Sequence, residues 1–151
     1  MEGPPPAGAA RLAGRAEHGR PLARGGPRRG RGLRLLVDGM NVIGSRPDGW
    51  WRDRDGAKRR LVEELDSALS EPVTLFLDGS PIALPESPGV EVRFAPGGPN
   101  AADEAIEEYV RAAPEPRELR VVTSDRPLAA AVRAMGAEVL GAGEFRRTFL
   151  T

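Results

Sequence analysis

The chain has no cysteine, one histidine and one lysine among its 151 residues. Without cysteine there are no disulfides and no thiolate zinc sites, and nothing points to an oxidising compartment. A Ser-His-Asp triad or a histidine-rich metal centre would have to be built around His18, which lies in the least structured part of the sequence. Hydrolytic chemistry here therefore has to run on carboxylates. No apolar run approaches the ~20 residues of a membrane-spanning helix. The N-terminus carries arginines but lacks the apolar segment of a secretory signal. No Walker A sequence is present. Gly141-Ala142-Gly143 starts like a dinucleotide fingerprint but lacks the third glycine, and the chain ends before a helix and second strand can follow. The expectation is a soluble, cytoplasmic protein with no membrane partner.

What is present is unevenly distributed. The formal net charge is zero, yet residues 1–34 hold 8 arginines against 2 glutamates, and residues 35–151 carry an acidic surplus of the same size. A basic tail thus precedes an acidic domain. Residues 1–32 are rich in Gly, Pro, Ala and Arg and cannot bury enough surface to offset their ordering entropy, so they read as disordered. Such a tail is either an RNA-binding arm or an inert extension, including a start codon assigned too early; the second is the expectation. Residues 33–151 are long enough for one domain with a real core.

Within that domain the hydrophobic pattern alternates between short buried strands and amphipathic helices. Strands are expected at residues 33–37, 73–77, 90–94, 119–123 and 137–140. A helix over residues 56–69 places Leu61, Leu65 and Leu69 on one face, with Asp53 or Asp55 as its cap. A second helix runs from an Asn100 cap to about Ala112, with Ala102, Ile106, Tyr109 and Val110 facing inward. A third is capped by Ser124 or Asp125, carries Pro127 in its first turn and ends at Gly136. Phe145 and Phe149 are expected to pack back on the core. No helix is expected between the second and third strands. The alternation predicts an α/β fold with a mainly parallel sheet of about five strands, covered on both faces.

Three acids directly follow strands: Asp38, Asp78 and Asp125. In a parallel sheet all strand C-termini share one edge, and ligands bind there. Asp103 lies in the first turn of the helix entered after the third strand, and Glu107 is one turn further on. Several anions at close range raise one another's pKa. A hard divalent cation such as Mg²⁺ or Mn²⁺ relieves that repulsion and bridges to phosphate. Each acid alone also has a plain structural reading. Asp38-Gly39 and Asp78-Gly79 are turn dipeptides, Asp103 suits a helix N-terminus, and Asp125 suits a cap. Their joint placement favours function. Asn41 is expected in the loop after the first strand, near the acids. Thr123 or Ser124 is expected to hydrogen-bond Asp38 or a phosphate, and Arg126 to meet a phosphate. Residues 44–60 interleave Arg46, Trp50, Trp51, Arg52, Arg54, Lys58, Arg59 and Arg60. That mixture suits single-stranded RNA, since bases stack on aromatic faces. One tryptophan is expected in the core and one on the surface.

Leu36-Val37-Asp38-Gly39-Met40-Asn41-Val42-Ile43-Gly44 resembles the opening motif of NYN domains, especially the YacP-like group within the PIN-like nuclease class. Asn100-Ala101-Ala102-Asp103, continuing to Ile106-Glu107, resembles that group's second motif, and Val122-Thr123-Ser124-Asp125-Arg126 its third. The three occur in the expected order over residues 33–149. Met40 stands where an aromatic is common. The resemblance implies a PIN-like three-layer α/β/α sandwich and metal-dependent endoribonuclease activity. It implies Mg²⁺ or Mn²⁺ on Asp38, Asp103 and Asp125, with Asn41 near the site. Asp78 and Glu107 remain open as further ligands. The expected partner is RNA, ribosome-associated RNA included. A non-catalytic RNA-binding domain and a small-molecule phosphatase are the alternatives.

Overall fold

The computed structural model describes residues 33–150. The tail at residues 1–32, expected to be disordered, lies outside the described residues. Five strands form one sheet: β1 (Arg34–Asp38), β2 (Val73–Asp78), β3 (Val90–Ala95), β4 (Leu119–Val122) and β5 (Glu138–Leu140). The order is β3-β2-β1-β4-β5 and every pairing is parallel. Five helices accompany it: α1 (Gly39–Gly44), α2 (Arg54–Ala68), α3 (Ala101–Ala112), α4 (Arg126–Met135) and α5 (Ala142–Phe149).

Alternation along β1 divides the core. Leu35 and Val37 point to one face, with Val42, Ile43, Leu61, Leu65 and Phe145 of α1, α2 and α5. Leu36 points to the other, with Ile106 and Val110 of α3 and Leu128 and Val132 of α4. Both faces are covered, which is why the inner strands β1 and β2 read as near-continuous apolar runs. The result is a three-layer α/β/α sandwich.

The described residues begin with β1 at the centre of the sheet, build outward to β3, then return through α3 to lay β4 on the other side of β1. The direction of winding therefore switches between β1 and β4, and it is at such a switch point that open α/β sheets form their ligand crevice. The β2–β3 connection makes its parallel crossover without a helix, as expected. It is held down instead by polar contacts to α2: Arg59 Nε donates to the Ala83 carbonyl at 3.1 Å, and the Gly89 amide donates to Asp66 Oδ1 at 3.3 Å.

Several local expectations change. The turn expected at Asp38-Gly39 is the start of α1, so Asn41 is helical. Gly39 is needed for close approach, because a Cβ there would lie 2.6 Å from Leu77 Cδ2 and 2.9 Å from the Phe76 carbonyl oxygen. The C-terminal segment forms α5. Phe145 is fully buried, but Phe149 is 41% exposed and packs against Phe145, with ring centroids 5.4 Å apart. Asp53 caps α2 and Asp125 caps α4 through the Gly56 and Leu128 amides. Asn100 makes no side-chain cap.

Candidate active site

The switch-point crevice collects the acids. Asp38 ends β1 and is 2% exposed. Its Oδ2 accepts the Thr123 hydroxyl at 2.8 Å, and Thr123 Oγ1 accepts the Asp125 amide at 3.1 Å. Thr123, just past β4, thus ties Asp38 to the loop that carries Asp125. Of the two hydroxyl residues expected near Asp38, Thr123 makes the bond. Ser124 has structural work instead. Its backbone amide donates to Asn41 Oδ1 at 2.9 Å, and its Oγ accepts the Ala142 amide at the start of α5, also at 2.9 Å. Asn41 therefore joins α1 to the β4–α4 loop.

Burial pushes the Asp38 carboxyl up to about 6. The Thr123 hydroxyl and the Asn41 backbone N–H pull it down, while Asp78 and Asp125 add to the rise. Asp103, in the first turn of α3, is pushed further, to about 7. Desolvation is its largest cause, followed by the charges of Asp38 and Asp125, a hydrogen bond with Asp125, and the charge of Asp78. Like charges nearby thus resist the ionisation of Asp38 and Asp103, on top of burial.

The donor set is all carboxylate oxygen, which suits a hard divalent cation. Among the described residues no group of three or more His, Cys, Asp or Glu side chains is placed to hold a metal ion by itself. Two carboxylate oxygens are already committed: Asp125 Oδ1 to the Leu128 amide at 2.9 Å and Asp78 Oδ1 to the Ala102 amide at 3.1 Å. Mg²⁺ sites need no full protein cage, since the ion keeps several waters and takes substrate phosphates as ligands.

The remaining predicted residues are more scattered. Glu107 is drawn toward Arg111 at 3.6 Å and does not figure among the charges acting on Asp38 or Asp103. It lines an open groove beside α3 with Pro96, Gly97, Glu104 and Arg111. Arg46 is half-buried in an ion pair with Glu64 at 2.6 Å. Trp50 packs against the core beneath Arg54. Trp51 is 53% exposed, with Arg52 5.4 Å from its ring centroid. Arg126 is exposed beside Asp125. Lys58, grouped by sequence with the cations of the RNA-suited segment, is only 8% exposed, and its Nζ donates to the Asp78 carbonyl at 3.0 Å. The signal was available: residues 58, 61, 62 and 65 fall at the i, i+3, i+4, i+7 spacing of a buried face.

An all-parallel α/β/α sandwich with aspartates gathered at its switch point defines a PIN-like, nuclease-type fold. The YacP-like NYN domain profile matches residues 35–151, and the chain belongs to that family. Two solved structures of Rae1 (YacP) from Bacillus subtilis are similar, each at 27% identity. The W164L mutant aligns with a TM-score of 0.61, covering 77% of this chain and 74% of that one. The other aligns at 0.59, covering 76% and 71%. UPF0178 proteins from strains of Xanthomonas oryzae pv. oryzae are 36% identical over 99 residues, which is 64% of this chain. The chain spans only 58% of the length of those relatives.

Proposed function

We propose that the protein is a metal-dependent endoribonuclease that hydrolyses RNA phosphodiesters at the β1–β4 crevice. The observation that carries this is the gathering of Asp38, Asp103 and Asp125 at the switch point, where burial first and neighbouring carboxylates second raise Asp38 to about 6 and Asp103 to about 7. Family membership supports the nuclease class. Asp38, Asp103 and Asp125 would hold Mg²⁺ or Mn²⁺. When bound, the cation supplies positive charge at the phosphoryl oxygens and a water acidified for attack. The chain's own residues set the geometry. Thr123 fixes the Asp38 carboxylate, and Asn41 locks α1 to the β4–α4 loop so that Asp38 and Asp125 stay in register. Trp51, Arg52 and Arg126 are the exposed groups suited to RNA.

The test is cleavage of a labelled RNA in Mn²⁺ by the wild type and by an Asp38→Asn, Asp125→Asn double variant. Cleavage by the wild type alone is expected; equal cleavage by both proteins would sink the proposal. One observation favours a second reading: Asp78 and Asp125 already serve as helix caps. A non-catalytic RNA-binding domain would bind RNA in chelator and leave it intact in Mn²⁺.

A further inference from the structure

Asp78 ends β2 beside the other acids, Lys58 reaches it from α2, and their contacts connect. Lys58 is nine-tenths buried on the inner face of α2. Among the described residues, its polar partner is the Asp78 carbonyl, at 3.0 Å. The chain turns sharply right after Asp78, where Gly79 takes φ +105° and donates its amide to the Ala95 carbonyl at 3.2 Å. An ammonium buried this deeply is costly unless its contacts compensate, and here its contact is the end of β2. Asp78 then reaches forward. Its Oδ1 accepts the Ala102 amide at 3.1 Å, across a sequence separation of 24.

That bond supplies what α3 otherwise lacks. Asn100 gives no side-chain cap, and residues 96–100 leading into the helix are exposed, with Gly97 and Gly98 at φ +148° and +111°. A carboxylate on the first-turn amides stabilises a helix start by hydrogen bonding and by its charge. Ala102 directly precedes Asp103, so whatever holds the Ala102 amide also places Asp103 beside Asp125.

We propose that Lys58 and Asp78 are positioning residues: Lys58 holds the end of β2, and Asp78 seats α3 so that Asp103 meets Asp125 and Asp38. The proposal rests on the metal-dependent reading above. It assigns the cation to three acids and removes Asp78 from the ligand set.

The test uses the full chain and measures Mn²⁺ affinity by calorimetry, with unfolding midpoints and RNA kinetics alongside. Asp78→Asn keeps an oxygen for the Ala102 amide and is expected to bind Mn²⁺ nearly as the wild type does. Asp78→Ala is expected to weaken Mn²⁺ binding by ~10–100-fold, as for residues that orient metal ligands. Lys58→Met should weaken it too, with Lys58→Arg recovering part of the loss. In the weakened variants kcat should return at saturating Mn²⁺ while KM for RNA stays put. Loss in Asp78→Asn equal to that in Asp78→Ala would mean direct ligation and overturn the proposal. So would lowered unfolding midpoints with unchanged Mn²⁺ affinity, a comparison that Asp78→Ala supplies if Lys58→Met does not fold. A wild type that binds no Mn²⁺ overturns the metal reading and this proposal together; a binding wild type with an unmoved Asp78→Ala overturns this proposal alone.

Discussion

Replacing Asp38 by Asn should stabilise the metal-free protein at neutral pH while abolishing its response to metal. Asp38 is 2% exposed, and its carboxyl is raised from 3.8 to about 6. A carboxyl raised on folding binds its proton more tightly in the folded state. Its contribution to stability is fully present below the unfolded value of 3.8 and is lost as pH rises through about 6. At 1.36 kcal/mol per unit, the cost of carrying the charge when folded reaches about 3 kcal/mol at pH 8. Part of that cost is already felt at pH 4, so the interval from pH 4 to pH 8 should show about 2 kcal/mol. The asparagine carries no such cost, and its Oδ1 can still accept the Thr123 hydroxyl. Any difference in hydrogen bonding between the two side chains is constant with pH and drops out of the comparison. Urea unfolding at both pH values in chelator measures the gap directly. Removing the Asp38 charge also relieves Asp103, which adds to the gain. In Mn²⁺ at ~100 times its dissociation constant the wild type should gain about 2.7 kcal/mol, and the variant far less. A gap between variant and wild type that does not change with pH would refute the reasoning.

Three further outcomes are expected. Mn²⁺ affinity should rise steeply between pH 5 and 8, since the carboxyls at about 6 and about 7 must lose protons to bind; calorimetry at three pH values checks this, and a flat profile contradicts it. Thr123→Val removes the hydroxyl that Asp38 accepts and leaves a buried carboxylate short of a donor, so urea unfolding at pH 8 should show a loss of about 1–3 kcal/mol, and the loss should shrink at pH 4 as Asp38 protonates. Trp51→Ala should leave stability within about 0.5 kcal/mol of wild type and weaken binding of single-stranded RNA by about 1–3 kcal/mol if the exposed ring stacks on a base; unchanged binding by fluorescence anisotropy removes Trp51 from the RNA surface.

The layout of the fold was legible in the sequence because it is written in local pattern. β1 and β2 are near-continuous apolar runs, β3 alternates apolar with charged residues, and α2, α3 and α4 carry inward faces at helical spacing. Asp53 and Asp125 were readable as caps because their partners lie three residues away. Two helices escaped that reading. In α1 a six-residue helix opens and closes on glycine, so it looks like a turn; its place is set by packing of Val42 and Ile43, not by propensity. In α5 the glycines at 141 and 143 look like punctuation, and the helix start is capped by Ser124, 18 residues earlier.

The same division applies to the crevice. That Asp38, Asp78, Asp103 and Asp125 share an edge follows from strand direction alone. Their separate duties do not. Asp78 seats a helix that starts 23 positions later in the chain, and Thr123 meets Asp38 across a separation of 85. Arg46 and Lys58 read as nucleic-acid contacts beside the tryptophans, yet one pairs with Glu64 and the other is buried on Asp78. Side-chain partners of this kind are tertiary and leave no periodic trace.

The central claim is that Asp38, Asp103 and Asp125 jointly hold a divalent cation. Anomalous diffraction from crystals of the protein soaked in Mn²⁺ tests it most directly. The account predicts a Mn²⁺ peak bordered by those three carboxylates, with Asp78 still on the Ala102 amide. No peak in the β1–β4 crevice at saturating Mn²⁺, or a peak held elsewhere on the surface, would contradict it.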